Sequence, residues 1–94
     1  MNKYESVIIV DSSLTKEEFD AVVNKITTFL NEEGEVTKVE DIGIKKLAYE
    51  IDKMKEGHYV LLEFKAERET IAELERIYRI TDEIKKFLTM LIED

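Results

Sequence analysis

The chain of 94 residues carries 22 acidic and 14 basic residues, a formal net charge of −8, with 44% hydrophobic and 38% charged residues and no cysteine. This length predicts a single domain over residues 1–94, the composition is that of a folded chain, and the lack of cysteine excludes a disulfide framework or a thiolate metal site. The longest apolar runs, 7–10 and 60–62, are too short to span a membrane, and nothing at the amino end resembles a signal peptide, so we expect a cytoplasmic protein.

The first third of the chain predicts a strand followed by a helix. Residues 4–10 are apolar and rich in β-branched side chains, which is typical of a buried strand. Thr15 and Glu18 have the spacing of a capping box, which marks a helix start. Gly34 follows the last helical turn, where we expect a left-handed residue to end the helix. The apolar residues between these limits recur at helical spacing and form one stripe: Phe19, Val22, Val23, Ile26, Phe29 and Leu30.

The middle of the chain predicts a hairpin of two strands. Residues 35–52 have no helical period, and strict alternation near their end indicates one long strand. The phase of that alternation changes near Gly43, where a glycine would permit a β-bulge. Residues 53–57 are short and polar, so we expect them to connect this strand to a second strand over 58–65.

The last third predicts a helix and a final strand. Residues 67–79 return to helical spacing, Thr81 and Asp82 end the pattern, and 84–92 form a strand. The resulting order, βαββαβ, is that of the ferredoxin-like α+β fold. Right-handed crossovers then place both helices on one face of a four-stranded antiparallel sheet and leave the other face free.

That free face is predicted to be apolar. A sheet covered on one side usually alternates apolar and polar residues, but here the first, third and last strands carry apolar side chains on both faces. An exposed apolar patch of this size usually marks an interface. A second copy of the chain, another protein, or bases that stack on Tyr59 would each fit, and short central strands covered by a loop give the same pattern.

The sequence lacks the combinations of residues that usually support catalysis. His58 is the only histidine, and the three glycines are scattered, so the sequence predicts neither a histidine metal site nor a phosphate-binding loop. The paired carboxylates stand in polar stretches, which favours solvated charge over a catalytic dyad. We therefore predict a protein that is not an enzyme and that uses no cofactor, no metal and no small-molecule substrate.

Two basic groupings stand out from the acidic background. A net charge of −8 argues against binding to nucleic acid or to an anionic membrane, so any contact with RNA must come from local clusters. The first grouping has four lysines around Tyr49, and the second surrounds the start of the last strand: Lys45, Lys46, Lys53 and Lys55, then Arg76, Arg79, Lys85 and Lys86. Basic residues beside an aromatic ring are typical of RNA contacts, and ordinary solvated charge is the alternative.

Residues 43–51, Gly-Ile-Lys-Lys-Leu-Ala-Tyr-Glu-Ile, resemble the signature of the sixth protein of the bacterial small ribosomal subunit. Residues 4–5, 55–59 and 79–86 resemble the amino end, the hairpin and the last junction of the same family, so the resemblance covers nearly the whole chain. It implies a ferredoxin-like fold and a place on the cytoplasmic ribosome. It also implies binding to the central domain of small-subunit ribosomal RNA during assembly, as a heterodimer with the eighteenth small-subunit protein.

The resemblance also implies which residues contact the RNA or the partner protein. They are Lys3, Lys45, Lys46, Tyr49, Lys53, Lys55, Arg79, Lys85 and Lys86. The alternative function is a self-associating ferredoxin-like regulatory domain that binds a small ligand. A free-standing RNA recognition domain is a third reading, although Glu56 stands where that motif requires a basic residue.

Overall fold

The computed structural model describes residues 1–51 and 53–93. Its elements are β1 (Asn2–Asp11), α1 (Lys16–Glu33), β2 (Glu35–Ile51), β3 (Met54–Ala66), α2 (Arg68–Ile80) and β4 (Ile84–Glu93). The strands pair antiparallel in the order β2-β3-β1-β4. The predicted ferredoxin-like α+β fold is confirmed. Within the described residues, neither helix combines the length and the apolar character that crossing a bilayer requires.

The core lies between one face of the sheet and the two helices. Alternate residues of the central strands, such as Ile8 in β1 and Leu62 in β3, are fully buried on that face. They pack in one cluster with Ile26 and Leu30 of α1 and Leu74 of α2. Because side chains alternate along a strand, the residues between them form the opposite, open face.

A buried group of three hydroxyls joins α2 to the sheet. The Ser6 Oγ lies 2.8 Å from the Tyr78 hydroxyl and 3.1 Å from the Thr89 Oγ1. Burial raises the pKa of Tyr78, while the hydrogen bond from Ser6 acts in the opposite direction. The Ser6 hydroxyl gives the buried Tyr78 hydroxyl a hydrogen-bond partner inside the core, and the group joins β1 to the two last elements of the chain, α2 and β4.

Local sequence signals set the limits of α1, with one difference from the prediction. The capping box is confirmed, since Glu18 N donates to the Thr15 Oγ1 at 3.2 Å and Thr15 N donates to the Glu18 carboxylate at 2.9 Å. The left-handed conformation predicted for Gly34 is wrong, because its φ is −170°. Glycine is required there for a different reason. A Cβ at Gly34 would overlap the backbone carbonyl of Lys65, against which β2 begins.

The hairpin of β2 and β3 is longer than the sequence predicts. The bulge at Gly43 is confirmed, since the pairing register shifts between Asp41 and Gly43 and the φ of Gly43 is +103°. The predicted polar connection over 53–57 is wrong, because β3 begins at Met54 and Ile51 already pairs with it. Residues 55–57 are polar because neither of their faces is covered by a helix. Asp52, the end of the predicted strand, lies outside the described residues.

Candidate nucleic-acid and partner interface

The hairpin extends past the rest of the sheet as a two-stranded arm, which we define as residues 44–57. The β1 strand ends at Asp11, which pairs with Gly57. Among the described strands, β2 is an edge strand that pairs with β3 alone, and residues 54–56 of β3 lie past the end of β1. Ile51 pairs with Met54, three residues past Gly57 along β3, so at about 3.3 Å per residue the paired hairpin extends about 10 Å beyond β1. The arm is therefore accessible from both of its faces.

The arm is positive in an acidic protein. Its sequence contains four lysines and three acidic residues, a net charge of +1, so the remaining residues carry −9. Within residues 1–51 and 53–93, none of those lysines forms an ion pair. Five of the cations elsewhere lie 2.6 to 3.7 Å from a carboxylate oxygen: Lys3, Lys16, Lys38, Arg76 and Arg79. The charge of the arm is thus available to an outside partner.

The predicted residues of the first grouping all lie on the arm. Lys45 pairs with Gly57 and Lys46 with Glu56, so the two lysines point to opposite faces of the hairpin. Tyr49 is 79% exposed, and its ring is open to a planar partner such as a base. Lys53 and Lys55 lie in the turn and at the start of β3, both exposed. The structure therefore brings these five residues together.

The second grouping lies at the same end of the sheet. Val10 pairs with Ile84, which places the start of β4, and with it Lys85 and Lys86, beside the end of β1. Two strands separate β4 from β2, so the grouping lies about 14 Å from the base of the arm. Arg79 lies in the last turn of α2, with its guanidinium 3.6 Å from Glu75 and 5.7 Å from the centre of the Phe87 ring. Its charge is therefore partly balanced, unlike that of the arm.

Lys3 lies apart from every other predicted contact. It pairs with Lys65 near the start of β1, and its Nζ is 3.7 Å from the Glu63 carboxylate. Eight residues separate it from Asp11, which corresponds to about 26 Å along the strand. The structure does not bring Lys3 together with the two basic groupings.

The open face of the sheet carries an apolar patch, as predicted. We define this open-face patch by its register across three strands: Val7, Ile9, Tyr59, Leu61, Leu88 and Met90. Leu88 is 59% and Met90 44% exposed, whereas Ile9 is nearly buried because it covers Gly57. A shallow depression of about 230 Å³ opens beside Lys86. Exposed apolar surface with a charged rim is typical of a protein-binding site.

Sequence reasoning missed a polar cluster at the base of the arm. His58, for which the sequence predicts no metal site, has its Nε2 2.6 Å from the Asp41 Oδ1. The same oxygen accepts a hydrogen bond from Gly43 N at 2.9 Å. The His58 ring stacks on Phe19 of α1, with centroids 3.8 Å apart and an interplanar angle of 7°. The sequence signal for this cluster is an aspartate two residues before a glycine within a strand. The side chain of such an aspartate can accept a hydrogen bond from the glycine N and form an Asx-turn.

Comparisons with known proteins agree with the geometry. The family model described as "Ribosomal protein S6" matches residues 3–90. The small ribosomal subunit protein bS6 of a Nitratiruptor species is 43% identical, over 99% of this chain and 73% of that protein. The protein of the same name from Clostridium acetobutylicum is also 43% identical, over 99% of both chains. The crystal structure of 30S ribosomal protein S6 from Thermotoga maritima superposes with a TM-score of 0.91 at 34% identity, covering 97% of this chain and 87% of that one.

Proposed function

Since the chain belongs to the ribosomal protein S6 family, we propose that it binds the central domain of small-subunit ribosomal RNA together with the eighteenth small-subunit protein during assembly. The family is a structural one of the small ribosomal subunit in the cytoplasm, and not a family of enzymes. Membership favours this function over a self-associating regulatory domain. We propose that residues 1–94 act as one domain in this role.

The arm is the proposed RNA contact, and the observation that carries the proposal is that its lysines form no ion pair within residues 1–51 and 53–93. Lysines that have no carboxylate partner lose no internal ion pair when they approach phosphates. Tyr49 adds a flat ring between them, exposed to 79%, and base stacking on such a ring contributes about 1 to 3 kcal/mol. Lys85 and Lys86, with Arg79, extend the contact along the same end of the sheet. Lys3, about 26 Å away along β1, would meet a different part of the assembly.

The open-face patch is the proposed contact for the partner protein. Its exposed apolar side chains, such as Leu88 and Met90, favour protein over phosphate. Lys86 lines the depression in the patch and also belongs to the second basic grouping. A partner seated on the patch therefore lies next to the proposed RNA contact, and one assembly can use both surfaces at once.

A titration with RNA tests the dependence on the partner. The chain alone should bind a central-domain RNA fragment weakly, because its net charge of −8 opposes the phosphates. Addition of the eighteenth small-subunit protein should increase the affinity. Equal affinity of this chain for the fragment with and without the partner would contradict the proposal.

Charge reversal tests the location of the RNA contact. The double variant Lys45→Glu/Lys46→Glu should lose most of its RNA affinity in the presence of the partner. The matched control is Lys65→Glu/Arg68→Glu, since these two cations are also exposed and also lack an ion pair within the described residues. Both variants change the net charge equally. If the two double variants lose the same amount of RNA affinity, the arm is not the RNA contact.

A further inference from the structure

The base of the arm is held by a chain of contacts that begins in the core. Phe19 belongs to the core cluster and stacks on the His58 ring in β3. His58 Nε2 donates to the Asp41 Oδ1 in β2 at 2.6 Å, since a carboxylate oxygen only accepts. That oxygen also accepts from Gly43 N. Three elements, α1, β3 and β2, are thereby joined at the bulge.

The bulge is the point where the direction of the arm is set. A β-bulge bends its strand and increases the local twist, and the φ of +103° at Gly43 shows where that bend occurs. In the part of the chain that the structure describes, β1 does not pair with the hairpin past Gly57. Gly43 pairs with Tyr59, and Met54 at the far end of the hairpin lies five residues from Tyr59, about 16 Å away. A change of about 10° at Gly43 would therefore displace that end by about 3 Å. That displacement is as large as the length of a hydrogen bond between a lysine and a phosphate, about 2.8 Å, so it is enough to break such a contact.

We infer that Asp41 and His58 are positioning residues for the arm: they fix the bend at Gly43 and so set the direction in which the lysines and Tyr49 meet RNA. The RNA part of this inference rests on the proposed function, whereas the direction of the arm is measured without RNA. Neither side chain needs to touch the RNA. The pair acts through the backbone of the bulge and holds the arm in one direction before RNA binds. Less conformational entropy is then lost on binding than for an arm that moves freely.

Four variants of the full chain separate positioning from charge. Asp41→Ala removes the acceptor, and His58→Phe removes the donor while keeping a ring on Phe19. Asp41→Asn keeps an oxygen that accepts from both Gly43 N and His58, but removes the charge. Glu40→Ala makes the same charge change at the neighbouring position, on the opposite face of β2. Residual dipolar couplings of the backbone amides report the direction of the arm relative to the sheet, and unchanged couplings in β1 show that each variant is folded.

In Asp41→Ala and His58→Phe, the couplings of the arm should change relative to those of the sheet, and RNA affinity with the partner should fall about fivefold. Asp41→Asn and Glu40→Ala should keep wild-type couplings and stay within about twofold of wild-type affinity. Unchanged arm couplings in Asp41→Ala overturn the inference, and so does a redirected arm with wild-type affinity. If the wild-type chain and its partner fail to bind the fragment, the proposed function fails, and the couplings still decide whether the pair holds the arm.

Discussion

The sheet body and the arm are parts of the same strands, yet different interactions hold them. In the body, β1 and β3 pack beneath two helices, and side chains such as Leu62 and Phe64 are fully buried. In the described part of the arm only Gly57 is buried, while Tyr49 is 79% exposed. A two-stranded hairpin alone is marginally stable in water. The body therefore supplies the stability that keeps the arm extended, and the arm supplies accessible charge that a packed core does not tolerate.

The largest expected effect is a loss of stability on truncating the body. Leu62→Ala removes a fully buried side chain from the central strand β3, and should lower the free energy of unfolding by about 3 kcal/mol through lost burial and the cavity that remains. Tyr49→Ala in the arm should lower it by less than about 0.5 kcal/mol. Urea unfolding at equilibrium measures both. Similar losses in the two variants would mean that the arm is as tightly packed as the body.

The next effect comes from the buried hydroxyls of the body. Ser6→Ala removes the partner of the Tyr78 hydroxyl, which is buried, and should lower the free energy of unfolding by about 1 to 2 kcal/mol. The double variant Ser6→Ala/Tyr78→Phe serves as the control. It removes both partners, so it should recover part of the loss. If the loss in free energy of unfolding of the double variant equals the sum of the losses of Ser6→Ala and Tyr78→Phe measured singly, the two hydroxyls are not coupled.

A smaller effect is expected from a single lysine substitution in the arm, and it should change the affinity for RNA and not the stability of the fold. Lys46→Gln removes one proposed phosphate contact, so RNA affinity with the partner should fall about fivefold, which is about 1 kcal/mol. The slope of log affinity against log salt should decrease by about 0.7 to 0.9. Lys16→Gln on α1 is the control, since Lys16 is paired with Asp20. An unchanged slope for Lys46→Gln, measured at three or more salt concentrations, would remove Lys46 from the contact.

The features that the sequence predicted correctly are those fixed by neighbours in the chain. The capping box of Thr15 and Glu18 spans three residues, and both of its hydrogen bonds are present. The bulge at Gly43 was visible because the alternation of apolar residues changes phase there. The exposed lysines of the arm also follow from local composition. In each case the physical cause lies within one helical turn or one strand.

The errors and omissions involve residues that are distant in sequence. Gly34 is required by the carbonyl of Lys65, 31 positions away, which no local pattern records. The pairing of His58 with Asp41 depends on the register of β2 against β3, and the bulge itself shifts that register. The sequence predicts the strand over 58–65 but assigns its first residues to a connection, whereas β3 begins at Met54. The polarity of residues 55–57 does not distinguish a turn from a hairpin that is exposed on both faces.

The smallest predicted effect lies at the junction of body and arm, where Asp11 ends β1 opposite Gly57. Hydrogen bonds from the backbone N and the hydroxyl of Ser13 lower the pKa of Asp11 from its ordinary value of 3.8, and the charge of Lys85 adds to this. Because the folded-state pKa is the lower one, the stabilisation is present above pH 3.8 and is lost as the pH falls through the folded value. Asp11→Ala should therefore cost a few tenths of a kcal/mol at about pH 7, since solvent screens a surface carboxylate, and less at about pH 2. Ser13→Ala removes the hydroxyl donor to Asp11 but keeps the backbone donor. Its loss in free energy of unfolding should therefore change less with pH than that of Asp11→Ala. An Asp11→Ala cost that is identical at both pH values would show that the Asp11 charge does not help to fasten the junction.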